Sequence, residues 1–315
     1  MAAEQGAQHE CSNTVVIPYK YKKNIVKFLT LILIMALSVG TEKAIAQEQK
    51  PKVGVFLSGG GALGFAHIGM LQAMEEVGIT PDYVAGASMG ALVGAVYSAG
   101  KSPQEIKQIV LDEKLYRKSR LFSLSGAKVK GVSLSSHRKV RKILEKYVGT
   151  DNFAELQRHY MVSVSNLTYS RTEVKDSGDH LIDWVLASMS IPAVFEPVIM
   201  DGNVYVDGGS LNHFPTKEIR EKVDILIGVD VMPRKDTVEI SSVREMFSSY
   251  IHSVAITNGQ EGRSRCDYLI ESPAINYYRI MDFEKFEEIY NYGYETMKKY
   301  LEGHPELQAE VSCSR

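Results

Sequence analysis

The chain has 315 residues, 44% of them hydrophobic and 23% charged, with a formal net charge of −2. These proportions match soluble globular domains and argue against disordered, collagen-like or multi-pass membrane classes. With so little net charge and no compact basic helix interleaved with aromatics in the core of the chain, nucleic acid is not expected as a partner.

At the N-terminus Lys20, Lys22, Lys23 and Lys27 precede an apolar run from Phe28 to Val39, and Ala44-Ile45-Ala46 then supplies small residues. That order predicts a secretory signal peptide over residues 1–46, with an atypical extension from Met1 to Tyr19 and a linker over 47–52. The apolar run is shorter than the roughly 20 residues of a spanning helix, so cleavage after Ala46 is favoured over a retained anchor. Export then places the protein in the periplasm, on the outer membrane or outside the cell. Only Cys266 and Cys313 would remain, in a spacing unlike a redox pair or a zinc site. Two unpaired thiols or a single bridge both fit.

The next elements alternate. Val53 to Leu57 predicts a buried strand, Ile68 to Val77 a helix stopped by Gly78, Tyr83 to Ala87 a second strand, and Gly90 to Ala99 a second, buried helix. Ser102-Pro103-Gln104-Glu105 has capping-box order and should start another helix. Tyr116 to Ser133 has no clean period and is expected at the surface. Ser136 to Tyr147 predicts a basic helix, whose Arg138, Lys139, Arg141, Lys142 and Lys146 suit a solvated face or, alternatively, anionic headgroups.

Tyr160–Leu167 and Arg171–Lys175 read as paired strands, and Ile182–Met189 as a helix that Pro192 breaks. Val198–Met200 and Val204–Val206, around Asp201-Gly202-Asn203, predict a hairpin that delivers Asp207-Gly208-Gly209 at a strand end. Asp224–Val231 is a further buried strand, Phe283–Leu301 a long helix, and 306–315 a polar tail. Helices alternating with apolar strands predict an α/β domain with a mostly parallel sheet covered on both faces.

Three motifs carry chemistry. Gly86-Ala87-Ser88-Met89-Gly90 lies between the second strand and its helix, where a sharp turn would expose the serine hydroxyl above the sheet edge. Gly59-Gly60-Gly61-Ala62-Leu63-Gly64 ends the first strand, so its backbone N–H groups should converge on an anion, here a tetrahedral oxyanion. Gly59, Gly61 and Gly64 also satisfy a dinucleotide pattern, but the second strand ends in Ser88 instead of the acidic residue that a ribose needs. Asp207-Gly208-Gly209, with Asn212 and Pro215 after it and Ala187-Ser188-Met189-Ser190-Ile191-Pro192 before it, is the third.

In this order and on these elements the motifs resemble the patatin-like phospholipase family, from Val53 to Pro215. The resemblance implies a three-layer α/β/α patatin-like sandwich, with 53–216 as catalytic domain and 217–305 completing it. It implies Ser88 as nucleophile, Asp207 as its dyad partner, Gly208 and Gly209 beside that base, and an oxyanion site around Gly60, Gly61 and Met89. It further implies a calcium-independent esterase acting on phospholipid or other lipid esters, with transient membrane contact; no metal or cofactor is expected. One departure is Leu63, where the family usually has a basic residue.

A dyad without histidine is physically reasonable, because desolvation would raise the pKa of a buried aspartate and make it a better base. The rival within hydrolases is a Ser–Asp–His triad using His213 or His252. His67, beside the glycine run, is expected to be a packed or capping residue. A non-catalytic lipid-binding protein on the same fold is the rival from another class. Phe283, Phe286, Tyr290, Tyr292 and Tyr294 could form a membrane-facing stripe, though helical aromatics more often build core. Oligomeric state is left open.

Overall fold

The computed structural model describes residues 50–122, 133–232, 240–271 and 273–313, together with 27, 28 and 30. The chain separates into two units, Met1–Gln49 and Lys50–Arg315. The expected signal peptide lies almost wholly outside the described residues, as does 123–132 of the expected surface segment.

The second unit begins β1 (Val53–Leu57), α1 (Phe65–Glu76), β2 (Tyr83–Gly86), α2 (Met89–Ser98), α3 (Pro103–Asp112), α4 (Lys118–Leu121), β3 (Ser133–Ser135) and α5 (Arg138–Val148). It continues with β4 (His159–Asn166), β5 (Arg171–Lys175), α6 (Leu181–Ser188), β6 (Ala193–Phe195), β7 (Val198–Met200) and β8 (Asn203–Val206). The last part holds α7 (Lys217–Arg220), β9 (Ile225–Asp230), α8 (Val243–Ser264), β10 (Tyr268–Glu271), α9 (Phe286–Gly303) and α10 (Pro305–Ser312).

The main sheet has the order β10-β9-β1-β2-β4-β8-β7, with β5 also on β4. From β10 to β4 the pairings are parallel; β5, β8 and β7 add antiparallel. The short β3 and β6 pair separately.

The central strands are apolar at nearly every position because both faces are covered. Val53, Val55 and Leu57 of β1 enter one core with Ile225, Ile227 and Val229 of β9. Phe56 points the other way, into a smaller core with Phe214, Ile219, Val223 and Leu226. Helices α1, α2 and α9 build the larger layer. The capping box is formed as expected: Ser102 Oγ accepts from Glu105 N and Glu105 Oε2 from Ser102 N.

Three of the five basic residues of α5 are engaged within the protein, while Arg138 and Lys142 are exposed. Lys139 donates to the carbonyls of Ser119 and Phe122, Arg141 pairs with Asp183, and Lys146 binds Glu113. The aromatics of the terminal helix divide likewise: Phe283, Phe286 and Tyr290 are buried, with Phe65 edge-on to Phe283 and Phe286. These three are core residues, and Tyr292 and Tyr294 are half-buried against the same core. The expected polar tail is mostly α10, which buries Leu307. Among the described residues no helix is long and apolar enough to cross a membrane.

Candidate active site

Parallel strands bring the ends of β1, β2 and β9 to one edge of the sheet, where chain reversals leave backbone groups unpaired. Strand β2 stops at Gly86 and α2 starts at Met89, so the reversal falls on Ser88, whose φ is 52° and ψ −121°. A side chain in that region costs about 1–3 kcal/mol and persists only where its surroundings over-determine it. Here Ala87 N donates to Leu57 O (3.1 Å), Leu92 N to Ser88 O (3.1 Å), and Ser88 N to Ser188 Oγ (2.9 Å). A Cβ on Gly90 would stand 2.2 Å from Leu57 O, so only glycine lets the first turn of α2 lie against the end of β1.

The glycine run interlocks with this elbow. A Cβ on Gly59 would be 3.3 Å from Ser88 Cβ, and one on Gly64 would strike Met89. The run turns at Gly61 with φ +54° and continues as a 3₁₀ turn, Gly61–Gly64. Ala62 N is spent on Ile280 O (2.9 Å) and Leu63 N on Gly60 O (3.1 Å). The amides of Gly60 and Gly61 and the first helical amide, Met89, are the donors suited to an oxyanion, the last because a first-turn N–H has no partner within its own helix.

Asp207 follows β8 and caps a short 3₁₀ turn, Gly208–Ser210; its Oδ1 accepts Gly209 N at 2.8 Å. Its own N–H goes to Ser190 O at 3.0 Å. The residue as a whole is 7% exposed. Burial pushes its pKa up from 3.8 to about 6, against the lowering effects of Ser88, Gly209 and His213. The Ser88 hydroxyl is near enough to lower the Asp207 pKa, yet Oδ2 is buried with no hydrogen-bond partner. Catalytic contacts of this kind often tighten only around substrate.

Comparison with known proteins accords with this geometry. The model of the family described as patatin-like phospholipase matches residues 55–219, more than half of the chain. The chain belongs to the patatin-like phospholipase family. Patatin-like phospholipase domain-containing protein 6 of Mus musculus is 27% identical over 281 residues, covering 80% of this chain and 20% of that protein. Lysophospholipase NTE1 of Cryptococcus neoformans is 28% identical over 282 residues, covering 80% and 17%. The chain therefore spans a fifth or less of the length of these relatives. Among solved structures, VipD from Legionella pneumophila aligns with a TM-score of 0.52 at 17% identity, over 81% of this chain and 67% of that one, a likeness of fold.

Within this patatin-like site the histidines have other partners. His67 Nε2 donates to Ser58 O at 2.8 Å, and burial lowers its pKa to about 4, so it is a neutral prop beneath the glycine loop. His213 Nε2 faces Asp230 Oδ1 at 3.0 Å, and Arg263 holds the other oxygen of Asp230. Burial works to raise the Asp230 pKa, but His213 and Arg263 outweigh it and keep Asp230 well below the usual range. Among the described residues no histidine hydrogen-bonds Asp207. His252 lies within α8.

Leu63, in the position of the family's basic residue, is 3% exposed and packs in the larger core, so its side chain is not at the site mouth. Residues without an assigned role in the sequence now have one. Ser58 Oγ donates to Gly59 O and accepts Val231 N, tying the glycine loop to the end of β9. Ser188 and Ser190, in the stretch that precedes the Asp-Gly-Gly motif, accept the backbone amides of Ser88 and Asp207, a role that the sequence does not assign to either. A cavity of about 360 Å³ beside His137, Arg141, Asp183 and Glu196 is lined by neither Ser88 nor Asp207.

Proposed function

We propose that the Lys50–Arg315 unit is a lipid acyl hydrolase in which Ser88 and Asp207 form a catalytic dyad. The observation that carries this reading is a strained serine at a strand-to-helix turn, next to a buried aspartate whose pKa is raised to about 6. Asp207 takes the proton of Ser88 Oγ as that oxygen attacks the ester carbonyl. The oxyanion is received by the amides of Gly60, Gly61 and Met89. Collapse expels the alcohol, which takes the proton back from Asp207 and leaves an acyl-Ser88. A water molecule then attacks, giving its proton to Asp207, and the fatty acid departs as Ser88 regains a hydrogen.

Hydrolysis of p-nitrophenyl esters, a phospholipid and a lysophospholipid by the full chain tests the reading. Ser88→Ala should abolish turnover while leaving the melting temperature within a few degrees. Persistent turnover in that variant rejects the dyad, and a wild type silent on every ester favours the lipid-binding alternative.

Substrate in a bilayer needs a surface contact, and exposed apolar side chains beside the proposed oxyanion loop support one there. Tyr277 is 89% exposed, Ile280 and Met281 are exposed beside it, and Ile280 O is the acceptor that fixes Ala62 N. Such an apolar group, next to exposed Arg279, suits an anionic lipid surface. The double change Tyr277→Ser/Met281→Ser is expected to lower turnover on phospholipid vesicles several-fold and to spare a soluble butyrate ester. Equal loss on both substrates would remove the surface from the proposal. Export follows from the N-terminal pattern, and the mass of the mature protein should place its first residue at Gln47; an intact Met1 in the exported fraction contradicts it.

A further inference from the structure

We propose that Ser188 is a positioning residue for the nucleophile, and that the turn Ser188-Met189-Ser190 sets the spacing of the dyad. This rests on the hydrolase reading above. Ser188 is the last residue of α6, one hundred residues from Ser88, and is fully buried. Its Oγ accepts the Ser88 amide at 2.9 Å. Two residues on, Ser190 O accepts the Asp207 amide at 3.0 Å. One turn of chain therefore holds the backbone of both dyad members, from a side-chain oxygen at one end and a carbonyl at the other.

The turn is itself fixed. Ser190 Oγ donates to Leu186 O at 2.9 Å, and the buried His137 lies 2.9 Å from both Ser190 Oγ and Glu196 O through Nε2. A carbonyl can only accept, so Nε2 carries the proton and His137 bridges the turn to the chain beyond Pro192. Burial, the largest effect, lowers the His137 pKa and keeps it neutral in this role.

The Ser88 amide has a particular need for such a partner. It sits past the end of β2 with no ladder bond and before the first helical residue, and its φ of 52° is held only by what surrounds it. By engaging that amide, Ser188 removes it from the oxyanion donors and fixes the direction of Cα–Cβ, hence of Oγ toward Asp207. Nearby, a Cβ on Gly208 would come within 3.0 Å of Ser188 Oγ, so the Asp-Gly-Gly turn lies directly against this serine.

A long-chain fluorophosphonate reads the chemistry of Ser88 in one turnover, apart from product release. In the full chain, Ser188→Ala and the near-isosteric Ser188→Cys should lower its rate of labelling and kcat together, by 10- to 100-fold. KM should stay within about twofold, because no substrate contact is lost. Ser188→Thr, which keeps the hydroxyl, should recover most of the labelling rate. Ser98→Ala, removal of an equally buried serine hydroxyl that lies on α2 without a hydrogen bond, should leave the rate unchanged. Labelling of Ser188→Cys at the wild-type rate overturns the assignment. So does a loss in all three Ser188 variants that only tracks their melting temperatures. A wild type that does not label at all instead overturns the hydrolase reading, and this one with it.

Discussion

Asp207→Asn is expected to reduce kcat/KM about a thousand-fold, the usual contribution of a positioned general base, and to make the folded protein more stable at neutral pH. The two effects have one cause. Burial raises the carboxyl pKa from 3.8 to about 6, so the ionised form that catalysis needs is disfavoured by the fold. A folded-state pKa above the unfolded value means that the native state binds more protons between about pH 4 and 6. Stability is then highest at low pH and falls as pH rises through the folded pKa, by about 3 kcal/mol at most. Asparagine carries no such cost, so the melting temperature of the variant should exceed that of the wild type at pH 8 and lose the advantage below about pH 4. Wild-type kcat/KM should fall with unit slope as pH drops below about 6, as the base is protonated. A flat profile between pH 5 and 8, or a variant less stable than wild type at pH 8, would show that Asp207 is not a buried base of this kind.

Gly90→Ala should damage both stability and activity. The added methyl carbon would lie 2.2 Å from Leu57 O and 2.5 Å from Ser58 O, both backbone atoms anchored in the central sheet. The helix must move, because β1 is clamped between β2 and β9 and cannot. Overpacking typically costs about 1–3 kcal/mol, and contact with fixed backbone belongs at the upper end. At about 2–4 °C per kcal/mol, a fall of roughly 6–12 °C in melting temperature follows. Any shift of α2 also carries Ser88 and the Met89 amide away from the glycine loop, so turnover by the fraction still folded should drop at least tenfold. Wild-type specific activity in a folded variant would show that the elbow tolerates displacement.

Much of the framework is legible in the chain, because local chemistry and tertiary structure agree there. The β1-α1-β2-α2 succession follows from apolar runs ended by glycines, the hairpin β7–β8 from Asp201-Gly202-Asn203, and the start of α3 from its capping box. Helix α8 is not foreseen, although it is 22 residues long with Ser242 capping Glu245 N. Its C-terminal half is largely polar, and there Gly259 and Gly262 lie against Phe214 while Asn258 and Arg263 reach Leu211 O and Asp230, contacts that no local pattern announces. Strand β10 has only four residues, and its place is fixed by parallel pairing to β9. At the site the glycine and serine motifs announce themselves by spacing. Ser188 and Ser190 fall within the stretch of the third motif, but their pairing with Ser88 and Asp207, like those of Ser58 with Val231 and His137 with Ser190, joins residues 17 to 173 apart and is written in no local pattern.

The order in which the sheet is filled bears on when the protein can become active. Strand β1, made first, is completed on one side by β2 and on the other by β9, through a contact as distant as Lys52 N to Asp224, 172 residues along the chain. The glycine loop at its end is tied down by Val229 and Val231, and braced by Ile280. A nascent chain that already displays Ser88 and Asp207 thus has no braced glycine loop until β9 and Ile280 have also been made. Such long-range pairing is slow to form. The proposed hydrolase activity is in this way tied to the completed sheet, and a chain lacking β9 or the Ile280 segment is expected to be inert.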